Sequence, residues 1–127
     1  MLQRTFTQLL VLLPGETNAP NTPTGIIGTP IADDLQTGTQ GSAPVTVLAV
    51  DAHFNPVGGI SDSITLSSAT DPQGIVYTGA NPAAMVNGSV TFDWYFFTPG
   101  SQTVTATDTT TTTIPPVTSL PATVLNQ

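Results

Sequence analysis

The chain has 127 residues, of which one is Lys or Arg, one is His and eight are acidic, so the net charge is −7. Because the single cation is Arg4, the chain cannot neutralise a row of phosphates. This excludes nucleic-acid binding and electrostatic recruitment to an anionic membrane. The lack of Cys and Lys excludes disulfides, thiol nucleophiles, cysteine-type zinc sites and Schiff-base chemistry. With 24 Thr, 12 Pro and 11 Gly and no helical periodicity, the composition predicts one all-β domain.

The N-terminal third is predicted to be one strand followed by a connector. Residues 6–13 form the strand, and its apolar run is too short for a signal-peptide core or a membrane span. Residues 14–30 contain four prolines and are predicted to be extended, in the polyproline II conformation where they are not paired. We therefore divide the chain into residues 1–30, the strand and connector, and residues 31–127, the main β domain.

The middle of the chain is predicted to hold two further strands and a turn-rich loop. Residues 44–51 alternate Val45, Val47 and Ala49 with a second, also fairly apolar face. Residues 52–59 form a loop, and the next strand places Ile64 and Leu66 inward. A longer connection over residues 71–82 contains a short apolar piece at residues 75–77.

The clearest strand pattern covers residues 88–97. Period two places Phe92, Trp94 and Phe96 in the core and Tyr95 and Phe97 on the opposite face. A Pro-Gly turn leads to residues 102–108, so these two segments are predicted to pair as a β-hairpin. A flexible threonine run at residues 109–113 and a last strand at residues 117–125 complete an antiparallel sandwich of seven to nine strands.

From residue 44 onward, the chain resembles the bacterial immunoglobulin-like domains of large repetitive surface proteins, the invasin/intimin-type group. The matching segments are VTVLAVDAHFNPVGGISDSITLSS and VNGSVTFDWYFFTPGSQTVTATD, and QLLVLLPGE resembles the lead-in to such repeats. The resemblance implies an immunoglobulin-like β-sandwich that acts as an extracellular spacer, adhesin stalk or filament component without catalysis or a cofactor. The chain departs from that group in holding one repeat and in lacking scattered lysines.

Several residues with possible chemistry have simpler structural interpretations. His53 has no marked serine nucleophile beside it, and the adjacent Asp33 and Asp34 point apart on an extended chain, so neither predicts catalysis. Asn87 begins a glycosylation sequon, but Asn-Gly is also a tight-turn sequence. A calcium site remains an alternative, because four aspartates lie at predicted strand ends or loops, although none forms a DxDxD run; these are Asp51, Asp62, Asp71 and Asp108.

The N-terminal strand is the most informative anomaly, because a surface strand of a sandwich should have one polar face. Either the connector covers it, or the strand contacts a neighbouring copy and the copies form a filament. The predicted assembly residues are Phe6, Leu9, Leu10, Val11, Leu12, Leu13, Tyr95 and Phe97. We therefore expect a non-enzymatic, extracellular surface-fibre module whose partners are copies of itself. The alternatives are an adhesive or carbohydrate-binding module, with aromatic residues for sugar stacking, and a phage or virus surface domain.

Overall fold

A computed structural model describes residues 5–29, 43–70, 75–76 and 81–124. These residues form strands and connecting turns and contain no helix, and so no helix that could cross a membrane. The twelve strands are β1 (Gln8–Leu12), β2 (Glu16–Asn18), β3 (Ile26–Gly28), β4 (Ala43–Val50), β5 (Ser63–Ser67), β6 (Ile75–Val76), β7 (Ala83–Ala84), β8 (Ser89–Tyr95), β9 (Gly100–Gln102), β10 (Thr105–Asp108), β11 (Val117–Thr118) and β12 (Ala122–Val124). The predicted all-β class is confirmed, whereas the described residues contain more strands than the predicted seven to nine.

Two four-stranded antiparallel sheets make up most of the fold. The first has the order β1-β4-β8-β6 and the second the order β11-β10-β5-β7. Smaller pairs, β12 with β9 and β2 with β3, account for the additional strands. The predicted last strand is divided into β11 and β12 by Ser119, Leu120 and Pro121, which agrees with the absence of a backbone N–H at proline.

The core lies between the two main sheets and is built by residues that alternate along their strands. Val45, Val47 and Ala49 of β4 have no exposed surface, and Phe92 and Trp94 of β8 are almost as completely buried. The facing sheet contributes a second set of buried apolar side chains, namely Ile64, Leu66 and Ala106. The period-two pattern therefore predicted these inward faces correctly, as expected for strands that each have one face against a core.

The predicted hairpin between residues 88–97 and residues 102–108 is wrong. β8 pairs with β4, whereas β10 pairs with β5 and β11 in the other sheet. Phe96 and Val104 are both buried, so the chain crosses from one sheet to the other with apolar side chains facing the shared core. The Pro-Gly turn between them serves this crossing, because Pro99 cannot donate a hydrogen bond to extend the β8 ladder.

The proline-rich connector is also more ordered than predicted, because it folds into the β2–β3 hairpin. Asn21 and Gly25 adopt positive φ values of 65° and 74°, which allow the chain to reverse. The backbone N–H of Asn21 donates to the carbonyl of His53 at 2.8 Å, and the Asn18 amide donates to the carbonyl of Phe54 at 3.0 Å. The connector is thus fastened to the loop that follows β4.

The described chain enters and leaves the sandwich at opposite ends. β1 begins beside the end of β4, where Gln8 pairs with Val50, and we call this end the entry pole. β12 runs antiparallel to β9 and ends where Val124 pairs with Gly100, shortly after β8 has ended, and we call that end the exit pole. Residues 30–42 lie outside the described part, so the predicted domain boundary near residue 30 stays a prediction. Strand β1, which belongs to the predicted N-terminal segment, nevertheless lies in the same sheet as β4 of the main domain.

Candidate assembly surface

The predicted assembly strand β1 pairs with β4 of the same copy. It forms five register pairs with β4, from Gln8 opposite Val50 to Leu12 opposite Thr46. Leu9, Val11 and Leu13 are at most 2% exposed and belong to the main core. Their apolar character is therefore satisfied within one copy, and contact with a neighbour through these three side chains would require the strand to leave its sheet.

The opposite face of β1 is covered by the connector. Leu10 is buried and lines an apolar groove of about 290 Å³ that it shares with Ile26, Phe54 and Leu120. Leu12 is half-buried, and Phe6 is half-buried against the core. The run is apolar on both sides because the sandwich covers one side, and Ile26 of the β2–β3 hairpin covers the other together with Phe54 and Leu120. This is the first of the two explanations that the sequence allowed.

The aromatic residues at the end of β8 do not form a sugar-stacking platform. Trp94 and Phe96 are buried, as the alternation predicted. Tyr95, predicted to face outward, is only 7% exposed, whereas Phe97 is 40% exposed. The rings of Tyr95 and Phe97 meet edge to face, with centroids 6.1 Å apart and planes at 71°. Stacking on a sugar needs a flat exposed aromatic face, and here only Phe97 is exposed, beside the exit pole.

Asn87 and Gly88 form the tight turn that Asn-Gly predicts. Their φ values are 53° and 83°, and Val86 and Ser89 exchange backbone hydrogen bonds across them. The Asn87 side-chain oxygen accepts the N–H of Gly59 at 2.7 Å, so the side chain also ties this turn to the neighbouring loop. The geometry accounts for Asn87 and Gly88 by folding alone, and glycosylation stays a prediction.

His53 and Asp51 shape their own loop. The Asp51 carboxylate accepts the backbone N–H groups of His53 at 2.8 Å and of Asn55 at 2.9 Å. Desolvation opposes ionisation of Asp51, but these hydrogen bonds outweigh it and lower the pKa of the carboxyl group. The arrangement is that of a turn-capping aspartate, which explains Asp51 without a metal ion.

Asp62 and Asp108 are brought together by a threonine turn. Thr111 contacts one oxygen of each carboxylate. Its N–H donates to Asp108 Oδ1 at 2.8 Å, and its hydroxyl donates to Asp62 Oδ2 at 2.7 Å. Residues 109–113 were predicted to be flexible, but Thr109 and Thr110 make further hydrogen bonds to Ser63. Thus two carboxylates that are far apart in the sequence lie side by side at the end of β10.

The surroundings of Asp108 disfavour its charge. Burial raises the pKa of this carboxyl group and the adjacent Asp62 raises it further, while the N–H groups of Thr111 and Thr110 act in the opposite direction. Among the residues that the structure describes, no three His, Cys, Asp or Glu side chains form a potential metal cluster. Asp71, Asp33 and Asp34 lie outside those residues.

Sequence reasoning missed two features of this surface, the proximity of Asp62 and Asp108 and the covering hairpin. Both depend on contacts between segments far apart in the chain, for which a single sequence carries little signal. Comparison with known proteins adds no assignment, since no family model, curated protein or solved structure matches the chain.

Proposed function

We propose that the chain is a non-catalytic, extracellular structural module of the immunoglobulin-like type, whose copies join end to end in a surface fibre. The observation that carries the proposal is the placement of the described chain ends at opposite poles of the sandwich. Modules whose two poles lie at opposite ends form a straight row when the exit pole of one copy contacts the entry pole of the next. The resemblance to repetitive surface proteins points in the same direction.

Two of the predicted assembly residues support contact between unlike poles. Phe6 precedes β1 at the entry pole, where Thr7 donates its N–H to Val50. Phe97 follows β8 near the exit pole and is 40% exposed. A contact between the exit pole of one copy and the entry pole of the next is heterologous, and such contacts extend into filaments when they do not close into rings.

One feature of the surface chemistry favours contact between copies. The described residues contain no Lys or Arg, and threonine hydroxyls occupy many of the positions where soluble sandwiches carry charges. The net charge of −7 opposes close approach, but lysines that would protect exposed strand edges are missing. The copies therefore lack one common device that keeps β-sandwich proteins apart.

Removal of residues 1–13 is not a clean test of assembly, because it deletes core side chains together with the candidate interface. A charged substitution at an exposed position is better. We expect Phe97→Lys to reduce the mass of assemblies measured by light scattering after size exclusion. The control Ile27→Lys, at a side chain that is 63% exposed on β3, should leave that mass unchanged. Strictly monomeric wild-type protein at every concentration would refute the assembly proposal.

A further inference from the structure

The end of β10 contains a buried carboxylate oxygen that accepts no hydrogen bond. Asp108 is 2% exposed, and its Oδ1 atom accepts the N–H groups of Thr110 at 2.9 Å and Thr111 at 2.8 Å. Its Oδ2 atom is buried and has no hydrogen-bond donor. Since an ionised oxygen is costly to bury without a donor, this atom requires a proton.

The group beside this oxygen is a second carboxyl group, that of Asp62. The two side chains lie within hydrogen-bonding reach of each other, and Thr111 joins them, since its hydroxyl donates to Asp62 Oδ2 at 2.7 Å. Lys and Arg do not occur in the described part of the chain, and no third side chain of the metal-binding types joins the pair there. A proton shared between the two carboxyl groups therefore satisfies the buried oxygen, because a protonated carboxyl group can donate to its neighbour.

We propose that Asp62 and Asp108 form a pH-sensitive clamp on residues 109–113, the threonine turn, which is closed while the two carboxyl groups share a proton and opens when that proton dissociates. In the closed state the pair carries one negative charge, and a hydrogen bond joins the two groups. After dissociation two negative charges lie side by side, and their repulsion drives Asp62 away from the end of β10. The clamp therefore responds to pH without a ligand or a partner.

Thr111 is the part of the turn that depends most on the clamp. Thr109 and Thr110 are bound to the backbone of Ser63. The N–H and hydroxyl of Thr109 donate to its carbonyl at 2.9 Å and 3.0 Å, and the Thr110 hydroxyl accepts its N–H at 2.9 Å. Thr111 is instead attached through its N–H to Asp108 and through its hydroxyl to Asp62. Separation of the two carboxyl groups cannot leave both of these bonds in place, so we expect opening to begin at Thr111.

The clamp lies at the entry pole and is connected to the core. The N–H of Ala49, near the end of β4, donates to the carbonyl of Gly88, and the N–H of Gly88 donates to the carbonyl of Ile60, two residues before Asp62. The carbonyl of Asp62 accepts the N–H of Met85, which is 1% exposed. Movement of Asp62 therefore reaches the core, and we expect the clamp to affect the stability of the whole sandwich.

Asp62 is the titratable side chain that faces Asp108 from the elements packed against it. Strands β5 and β11, which pair with β10, and β7, which pairs with β5, carry no titratable side chain, and neither does the threonine turn. Asp51 and His53 lie in the loop after β4 and are hydrogen-bonded to each other there. Burial, and after it the adjacent Asp62, raises the pKa of Asp108 above its ordinary value of 3.8. The contribution of the shared proton to stability is therefore complete below pH 3.8 and is lost as pH rises through the folded-state pKa.

The first test is urea unfolding of the full chain at a series of pH values, followed by the fluorescence of Trp94. From pH 3.8 up to the folded-state pKa of Asp108, the shared proton should make the unfolding constant rise by up to about tenfold per pH unit. Asp108→Asn and Asp62→Asn each place an amide donor where the proton lies, so both should lose this rise and should be more stable than the wild type at pH 7. Asp93→Asn, on β8 in the other sheet, should retain the rise.

The second test is hydrogen exchange at the Thr111 amide, corrected for the intrinsic effect of pH on exchange. Protection of this amide in the wild type should fall as pH rises through the folded-state pKa of Asp108, whereas in Asp108→Asn and Asp62→Asn it should not change. The same pH dependence of stability and of protection in the wild type and in both variants would overturn the proposal. An Asp108 carboxyl carbon whose NMR shift titrates at or below pH 3.8 would overturn it as well. Both tests concern single copies, so their outcomes do not depend on whether copies assemble.

Discussion

Replacing Leu9 with alanine tests whether β1 belongs to the core of its own chain. Leu9 is 1% exposed, and the substitution removes about three carbon atoms from this site. At about 0.8 kcal/mol for each buried methylene, the lost transfer free energy is about 2.4 kcal/mol. The cavity left among well-packed neighbours adds to this loss, so we expect the free energy of unfolding to fall by about 3–4 kcal/mol.

Leu12→Ala is the matched control, since it makes the same chemical change on the same strand. Leu12 is half-buried and lies on the other face, where water can fill the vacated space, so we expect a loss of about 1 kcal/mol. Urea unfolding can be followed by the fluorescence of Trp94, the only tryptophan in the chain, which is buried in the folded state. Equal losses for the two variants would refute the assignment of faces. A midpoint that rises with protein concentration would show that association of copies contributes to stability.

Two further predictions concern substitutions at single positions, and a third concerns ligand binding. Burial raises the pKa of Glu16 above its ordinary value of 4.5. The contribution of Glu16 to stability is therefore complete below pH 4.5 and is lost as pH rises through the folded-state pKa. Urea unfolding at several pH values should show that Glu16→Gln reduces this pH-dependent loss of stability. Gly88→Ala should destabilise the fold more than Gly59→Ala, because both glycines have positive φ but only at Gly88 would a Cβ collide, with the carbonyl of Val57; the strain alone, in Gly59→Ala, should cost about 1–2 kcal/mol in the same assay. Titration with soluble oligosaccharides should leave the Trp94 emission unchanged, and a saturable change would restore the carbohydrate-binding alternative.

The sequence predicted those parts of the fold that depend on local alternation. The period-two pattern identified the buried side chains of β4 and β8, because one side of each strand faces the core wherever the strand lies in the sheet. Tyr95 shows the limit of this reasoning. The pattern assigns its side of the sheet, but its burial depends on what covers that side.

The pairing of strands and the contacts between distant segments were predicted less well than the strands themselves. A short Pro-Gly connection suggested that β8 and the following segment pair, yet burial of both Phe96 and Val104 is better satisfied by crossing between sheets. The apolar run in β1 predicted the need for cover but not its source, because the reversal of the connector depends on Asn21 and Gly25 and on contacts with the distant loop at His53. The approach of Asp62 to Asp108 likewise results from pairing between β5 and β10, which neither residue specifies alone.

Negative-stain electron microscopy of the purified chain over a range of concentrations tests the proposed function most directly. End-to-end contact between unlike poles predicts linear rows of single-domain particles that lengthen as concentration rises. Phe97→Lys should shorten these rows, and Ile27→Lys should not. Isolated particles at every concentration, or closed pairs that do not grow, would contradict the proposal that copies of this chain join into a fibre.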